Sequence, residues 1–291
     1  MNRRHFITTI AAALALRPLP ALARAENTAL EFLVVGDWGT GGQLQKTVAA
    51  GMQQVIRSSG AVQFILSTGD NIYPNGVTSE DDGQWKTKFE TPYSGITLPW
   101  WAILGNHDHR GSTDAQIRYS SRNPRWNMPG KTWHNEFAVN PVTKLSVIAL
   151  DTTPLLQKED GWREQLEWLE QTLAATTSKW KVVAGHHPLR SYGHYGDSLF
   201  LVKNVKPLLD TYGVHLYCCG HDHDVQAIKN PSDSFACLVS GGGGGVRASK
   251  RGAHTVAMID TGGFAYVRAD AAHMRVQLHN AAGDAVGGLT L

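Results

Sequence analysis

Apolar residues recur along the chain in short runs that are rich in valine, isoleucine, leucine and aromatic side chains. These runs are EFLVV, VQFILS, WWAIL, LSVIAL, WKVVA, HLYCC, ACLVS, TVAMI, FAYVR and MRVQLH. Runs of this length, bounded by glycine or polar residues, are typical of β-strands that are buried on both faces. The pattern therefore predicts a chain with many short, buried strands.

Apolar residues at helical spacing separate several of these runs. Two such helix faces are Leu44, Val48, Met52, Val55 and Ile56, and Trp162, Leu166, Leu169 and Leu173. A third helix is predicted from Leu201 to Tyr212. Strands that alternate with helices indicate an α/β fold over the first two thirds of the chain, whereas only strands are predicted after residue 231. We expect these late strands to form a second sheet packed on the first, in a four-layer sandwich.

The first 25 residues have the pattern of an export signal. They contain basic residues, an apolar segment over residues 7–16 and a small-residue cleavage pattern at 23–25. Arg3-Arg4, followed by Phe6, resembles a twin-arginine signal, and the alternative is an ordinary secretory signal with two incidental arginines. We expect a bacterial protein that the twin-arginine machinery exports to the periplasm or beyond. No later apolar run is long enough to span a membrane, so we expect no membrane anchor after cleavage.

The charge balance changes once the signal is set aside. The chain has 27 basic and 25 acidic residues, and four of its arginines lie within the first 25 residues. The remainder, residues 26–291, is predicted to be a single domain, and it has no cluster of lysine and arginine that would favour nucleic-acid binding. Cys218, Cys219 and Cys237 are expected to be buried small apolar residues. A bridge from Cys237 to one of the other two stays open.

Five of the predicted strands end in glycine followed by a residue type that binds metals. The endings are Gly36-Asp37, Gly69-Asp70, Gly105-Asn106, Gly185-His186 and Gly220-His221. Because the carboxyl ends of strands in an α/β sheet line up along one edge, we expect these side chains to converge. Turn chemistry would explain one such ending. Five endings in one chain favour a shared binding site.

The residues beside these endings narrow the chemistry of the site. Tyr73 follows Asp70 by three positions, and His107 adjoins the third ending. In the last ending, His221 and His223 lie two apart, which points both rings the same way on an extended segment. Carboxylate, amide and imidazole donors together suit first-row transition metals. A phenolate favours a hard, highly charged ion such as Fe(III).

The blocks GDWG, GDNIY, GNHD, GHH and GHDH resemble the signatures of the purple acid phosphatases, a branch of the calcineurin-like metallophosphoesterases. The stretches GNHDHRGSTDAQIRYS, RWNMP, LVKNVKPLLDTYGV and GGFAYV are similar to the small, mammalian-type (tartrate-resistant) members. The similarity runs from Leu30 onward. It implies a four-layer αββα metallophosphoesterase sandwich of two mixed β-sheets flanked by helices. It also implies an acid phosphatase that acts on small phosphate monoesters, with hydroxide attacking phosphorus and a histidine protonating the leaving group.

The resemblance further implies two metal ions. The ligands implied for Fe(III) are Asp37, Tyr73 and His223, with Asp70 bridging to the second ion. The ligands implied for the second ion, a divalent Fe, Zn or Mn, are Asn106, His186 and His221. Tyr73 would then be a phenolate ligand of Fe(III), which explains a tyrosine so close to the end of a buried strand.

His107 and His194 are the residues that we expect to orient the phosphate and to protonate the leaving group. His194 is the weaker choice, because the segment that precedes it is one residue shorter than in the mammalian-type members. His187, which replaces a tyrosine of those members, is a nearby substitute for it. Asp108 and His109 are expected to contact the metal ligands without binding the metals themselves.

Three other functions stay open at this point. A phosphodiesterase or nucleotide-cleaving enzyme would use the same metal centre, because substrate choice lies in the loops around residues 112–133 and 191–198. A protein that sequesters phosphate or iron without turnover would need no proton donor such as His107. The third alternative is a redox protein in which an iron pair generates oxygen radicals.

Overall fold

Strands and helices alternate along residues 28–291, the part of the chain that this computed structural model describes. The strands are β1 Ala29–Val35, β2 Val62–Ser67, β3 Trp100–Ala102, β4 Trp126–Asn127, β5 Trp133–Ala138, β6 Lys144–Ala149, β7 Trp180–Ala184, β8 Leu216–Cys219, β9 Val225–Ile228, β10 Ala236–Ser240, β11 Thr255–Ile259, β12 Gly263–Asp270, β13 Met274–Asn280 and β14 Ala285–Thr290. The α-helices are α1 Gln43–Ser59, α2 Thr113–Arg118, α3 Thr152–Gln157, α4 Trp162–Ala175, α5 Leu199–Asn204 and α6 Lys206–Thr211. The predicted export signal, residues 1–25, lies outside the described residues.

The strands form two seven-stranded mixed sheets. In the first sheet the order is β14-β13-β12-β1-β2-β3-β4, and in the second it is β11-β9-β10-β8-β7-β6-β5. Strands β1 to β4 are parallel to one another, as are β6, β7, β8 and β10. The prediction that the late strands form a second sheet of their own is wrong. Strands β10 and β11 join the second sheet, whereas β12 to β14 extend the first, because β12 pairs antiparallel with β1.

The apolar side chains divide into three layers of core. Between the sheets, β1 contributes Phe32, which stacks on Phe64 of β2 with ring centroids 4.8 Å apart. On the outer face of the first sheet, Met52 and its neighbours on α1 are buried. On the outer face of the second sheet, α4 contributes Leu169 and α5 contributes Leu201. Both faces of the central strands are thus buried, which explains their continuous apolar runs. The predicted four-layer sandwich is confirmed.

The helix predicted from Leu201 to Tyr212 is two short helices in the structure. The first helix, α5, ends at Asn204, Val205 lies at the junction, and Pro207 falls in the first turn of α6. Proline has no N–H to donate to the carbonyl of Lys203, and its ring would clash with that carbonyl. One continuous helix is therefore excluded at this point.

The three cysteines are buried apolar residues, as expected. Within residues 28–291 none of them forms a disulfide, and the bridge left open for Cys237 is not present. Burial raises the pKa of the thiols of Cys218 and Cys237. Such thiols are poor nucleophiles, because the thiolate is the reactive form. No helix among the described residues is both long and apolar enough to cross a lipid bilayer.

Candidate metal centre

Loops that follow five parallel strands meet at one end of the sandwich. Asp37, Asp70 and Asn106 lie in the loops after β1, β2 and β3 of the first sheet. His186 and His221 lie in the loops after β7 and β8 of the second sheet. The convergence that the sequence suggested therefore involves the edges of two facing sheets, and no single sheet supplies all of these side chains.

One group of side chains surrounds the phenol of Tyr73. Its Oη donates a hydrogen bond to the carboxylates of Asp37 (2.9 Å to Oδ1) and Asp70 (2.8 Å to Oδ2). The Nε2 atom of His223 lies 3.2 Å from the same Oη and 3.4 Å from Asp37 Oδ1. Four side chains that can donate an electron pair to a metal, namely one phenol, two carboxylates and one imidazole, thus converge on one position.

A second group surrounds the ring of His186. Its Nε2 lies 3.1 Å from Asn106 Oδ1, 3.2 Å from His221 Nδ1 and 3.5 Å from Asp70 Oδ1. Asp70 therefore belongs to both groups, with Oδ2 turned toward Tyr73 and Oδ1 toward His186. Ligand atoms of Asp37, Asp70 and His186 all lie within 4.8 Å of one another, and these three buried residues are placed to bind a metal ion.

Backbone strain is concentrated at these residues. Asp37 (φ 57°), Asp70 (φ 51°) and His221 (φ 67°) lie in the left-handed region that residues other than glycine rarely adopt. Such strain persists only where the surrounding structure enforces it, and it is common at functional sites. The three residues thus hold their side chains in place at a cost in backbone energy.

Two of the preceding glycines allow the loops to touch. A Cβ atom on Gly105 would lie 2.2 Å from Asp70 Oδ1 and 2.3 Å from its backbone nitrogen. A Cβ atom on Gly220 would lie 2.3 Å from Asp37 Oδ2. Only glycine permits this close approach, so the recurring Gly-then-polar pattern has a steric reason.

The buried carboxylates of Asp37 and Asp70 favour positive charge on the groups beside them. Although burial disfavours a charged ring, Asp70 and then Asp37 raise the pKa of His186 to about 10. Burial, followed by the charges of Asp37 and Asp70, raises the pKa of the Tyr73 phenol. A cation bound between these groups would compensate the carboxylate charge and would favour loss of the phenol proton.

The two histidines predicted to act on the phosphate lie in different environments. The Nδ1 atom of His107 lies 2.6 Å from the Pro74 carbonyl oxygen, and its Nε2 lies 3.9 Å from Asp70 Oδ2. The backbone N–H of His107 also donates to Asp70 Oδ1 (2.8 Å). His194 is exposed at the rim, with its ring 4.9 Å from that of Tyr195. The structure therefore ties His107 directly to the two groups and places His194 farther out.

His187, the proposed substitute for His194, is fixed in the interior. Its Nδ1 lies 2.8 Å from the Thr152 hydroxyl oxygen, and its backbone N–H donates to the same oxygen (3.1 Å). Burial, followed by the charge of His186, lowers the pKa of His187 to about 3. A ring that is buried and held neutral in this way is poorly suited to donate a proton.

Asp108 contacts the loops that carry the predicted ligands, whereas His109 contacts Asp151, which the sequence pattern did not single out. The Asp108 carboxylate accepts hydrogen bonds from the loops after β2 and β3. His109 Nε2 lies 2.8 Å from Asp151 Oδ1. Although burial opposes it, the hydrogen bond to Asp151 raises the pKa of His109. The signal for Asp151 was present, since it follows β6 by two residues, but no glycine precedes it.

Asp222 is a second residue whose role the sequence did not define. Asp222 lies between His221 and His223 in the sequence, and its side chain is buried. Its carboxylate accepts a hydrogen bond from the Ser191 hydroxyl and another from the Tyr195 backbone N–H (3.0 Å). Asp222 therefore fixes the loop that carries His194 and Tyr195.

The comparisons with known proteins agree on one family. The model of the calcineurin-like phosphoesterases matches residues 30–225. The chain is 36% identical over 299 residues to human (Homo sapiens) tartrate-resistant acid phosphatase type 5, covering 91% of each chain. It is 34% identical over 236 residues to purple acid phosphatase 17 of Arabidopsis thaliana, covering 74% of this chain and 68% of the relative.

Solved structures support the same fold. GAP50, described as the anchor in the inner membrane complex of Plasmodium, aligns with a TM-score of 0.82 at 24% identity, covering 91% of this chain and 89% of the other. The purple acid phosphatase PPD1 from yellow lupin (Lupinus luteus) seeds aligns with a TM-score of 0.67 at 15% identity, covering 91% and 54%. At these identities the alignments establish the fold alone.

Proposed function

Because the chain belongs to the calcineurin-like phosphoesterase family and is similar to acid phosphatases over nine tenths of its length, we propose that it is an acid phosphatase that hydrolyses phosphate monoesters. The observation that carries this proposal is the pair of donor groups that share Asp70. A shared carboxylate between two donor sets is suited to a pair of metal ions.

The donor chemistry fits two different ions. Asp37, Tyr73 and His223 would hold Fe(III), because a phenol oxygen and carboxylates suit a hard, highly charged ion. Asn106, His186 and His221 would hold a divalent Fe, Zn or Mn, and Asp70 would be shared by the two sites. When bound, the metals acidify water and withdraw charge from the phosphoryl group.

The chain's own contribution to the reaction is proton transfer and orientation. The carbonyl of Pro74 holds the Nδ1 proton of His107, so the other ring nitrogen, Nε2, faces the cleft beside Asp70. His107 therefore donates a proton from Nε2 to the oxygen of the departing alcohol. Its side chain is 19% exposed, which leaves it accessible to a substrate. His194, at the exposed rim, orients the ester.

A histidine that acts as the proton donor suits an enzyme that works in mildly acidic solution, because imidazolium is the donating form. A protein that sequesters phosphate or iron, or one that generates oxygen radicals, would not need His107 as a proton donor. A phosphodiesterase would use the same residues, and the substrates in the test below separate it from a monoesterase.

The test is the visible absorption spectrum of the oxidised protein and of its Tyr73→Phe variant, together with the metal content. We expect a broad visible band in the unchanged protein that disappears in Tyr73→Phe. Tyr119→Phe is the matched control, because Tyr119 also donates to a carboxylate (2.6 Å to Glu90) but lies away from the site. A colourless protein fully loaded with other metals would exclude the Fe(III) assignment. Hydrolysis of bis(4-nitrophenyl) phosphate in preference to 4-nitrophenyl phosphate would exclude the monoesterase.

Export through the twin-arginine machinery to the periplasm is part of the same proposal. It rests on Arg3-Arg4 and the apolar segment that follows. The route is attractive because it exports folded proteins, which allows the metals to be bound first. Replacement of both arginines by lysine should abolish export, whereas unchanged export of active enzyme would indicate the general secretory route.

A further inference from the structure

Arg247 lies beside the metal centre in the glycine-rich loop after β10. Its backbone N–H donates to the carbonyl oxygen of His223 (3.1 Å). Two residues earlier, a Cβ atom on Gly245 would lie 3.1 Å from His223 Nδ1. The loop thus rests on one of the residues that we assign to the Fe(III) site, and the position of Arg247 is fixed relative to it.

The guanidinium of Arg247 is held by stacking. Its Cζ atom lies 5.1 Å from the centroid of the Tyr195 ring, which is within the range of a cation–π contact. The Tyr195 ring in turn stacks on the His221 ring, with centroids 4.1 Å apart and an angle of 24° between the planes. Arg247 is therefore one aromatic ring removed from the side chains assigned to the metals.

The charge of Arg247 has no acidic partner. In the part of the chain that the structure describes, no carboxylate forms an ion pair with it; its Nη1 is enclosed by the protein, and the side chain as a whole is partly exposed. Arg190, by contrast, pairs with Asp233 (2.9 Å) and Asp197 (2.8 Å). A fixed guanidinium with free donors beside a phosphate-binding site is suited to an anionic ligand, since it binds phosphate through paired N–H groups.

We propose that Arg247 binds a second phosphate group of the substrate, adjacent to the one that is removed, so that the site discriminates in favour of diphosphates. This inference rests on the proposed function. The scissile phosphate would bind beside the two donor groups, whereas Arg247 lies one ring farther out, where a phosphate joined through a bridging oxygen would extend. The half-exposed Tyr195 ring, with 49% of its surface accessible, leaves room for such a group.

The reaction on a diphosphate has the same balance as on a monoester. The oxygen of water forms a bond to the scissile phosphorus, and the bridging P–O bond breaks. The electron pair of that bond stays on the leaving phosphate, and a proton of the water ends on one of the two phosphate products or in solvent. Arg247 contacts the leaving phosphate as its negative charge increases, and it therefore assists departure as well as binding.

The first test compares kcat/KM for inorganic pyrophosphate with kcat/KM for 4-nitrophenyl phosphate in the metal-loaded enzyme. We expect Arg247→Met to lower the ratio of these two values about tenfold or more, the scale for loss of a charge-assisted hydrogen bond. Arg247→Lys, which keeps the charge without the paired donors, should give an intermediate ratio. Lys250→Met, an exposed change in the same loop, should leave the ratio as it is. An unchanged ratio in Arg247→Met would overturn the inference.

A binding measurement separates this inference from the proposed function. Calorimetry gives Kd for methylenediphosphonate, which carries two phosphonate groups joined by a bridge that cannot be hydrolysed. The same measurement with methylphosphonate gives Kd for a ligand with a single phosphonate group. We expect Arg247→Met to weaken methylenediphosphonate about tenfold more than methylphosphonate. If the unchanged enzyme hydrolyses neither pyrophosphate nor 4-nitrophenyl phosphate, the proposed function fails, and the ratio of the Kd values still decides the role of Arg247. Equal weakening of both ligands would show that the substitution merely disturbs the loop.

Discussion

The carboxylate of Asp108 accepts hydrogen bonds from both the backbone N–H (3.0 Å) and the side-chain amide (3.2 Å) of Asn71. The same carboxylate accepts from the backbone N–H of Gly105 (2.9 Å) and from the Gln116 side chain (2.8 Å). Asn71 adjoins Asp70, so one buried side chain connects the loop after β2 to the loop after β3. The separation of the two donor groups depends on this connection.

Substitution of Asp108 by asparagine should weaken that connection with little change of shape. The new side chain has one acceptor oxygen in place of two, so buried N–H groups lose their partner, at a cost of about 1–3 kcal/mol. We expect a lower free energy of unfolding and reduced metal content, measured by denaturation and by elemental analysis. Asp114→Asn, an exposed change in α2, is the control. Full metal occupancy in Asp108→Asn would show that the loops keep their positions without the carboxylate.

Gly105→Ala tests the steric requirement at the same place. A Cβ atom there would lie 2.2 Å from Asp70 Oδ1, so the proposed bridging carboxylate must move. We expect phosphatase activity to fall about 10²-fold, the scale for misplacement of a reacting group by 1 Å. Gly83→Ala is the matched control, since no atom lies within 4 Å of its added Cβ. Activity within twofold of the unchanged enzyme would mean that the loop adjusts without moving Asp70.

His107→Ala tests the assignment of the proton donor. We expect kcat to fall about 10²-fold for an alkyl phosphate, whose alkoxide needs a proton to leave. The loss should be smaller for 4-nitrophenyl phosphate, because nitrophenolate departs without full protonation. His273→Ala, an exposed change remote from the site, is the control. An unchanged kcat with both esters would remove His107 from the mechanism.

The local pattern was sufficient to predict that the side chains at the strand ends converge. Glycine followed by a polar residue at a strand end is visible in the sequence, and parallel strands end on the same side of a sheet. Asp37 and His186 could therefore be brought together without a structure. The pattern does not say which sheet a strand joins, because pairing partners such as β1 and β12 are far apart in the chain.

Contacts that depend on loop paths were not predictable. Asp222 binds Ser191 and the Tyr195 backbone only because the loop after β7 folds back over the loop after β8. The stack of Arg247 on Tyr195 requires the glycine-rich loop to cross the same place. Neither contact produces a periodic pattern of residues in the sequence, because the conformation of these loops depends on their packing against the rest of the folded chain.

His215 should make the stability of the protein depend on pH at a position remote from the metal centre. His215 directly precedes β8, and its Nδ1 accepts a hydrogen bond from the backbone N–H of Lys181 in β7 (3.2 Å). Burial, and then the charges of Lys181, Lys179 and Lys229, lower the pKa of His215. Protonation of Nδ1 would break this hydrogen bond, and the cost of breaking it also lowers the pKa of His215.

The sign of the effect follows from these two states of His215. Above pH 6.5, the ordinary pKa of histidine, the ring is neutral in both the folded and the unfolded chain and adds no pH dependence. Below pH 6.5 the unfolded chain binds a proton that the folded chain does not, so the free energy of unfolding falls as the pH falls. The decline ends once the pH passes below the lowered pKa of the folded state. Its slope is at most about 1.4 kcal/mol for each pH unit.

His215→Asn isolates this contribution, because the asparagine Oδ1 can accept the same N–H but does not titrate. We expect equal pH dependence of the two proteins above pH 6.5 and a shallower decline in His215→Asn between pH 6.5 and 5. The measurement is denaturant unfolding at several pH values with metal content held constant, so that protonation of the metal ligands affects both proteins alike. Parallel curves over the whole range would show that His215 titrates in the folded protein as it does in the unfolded chain.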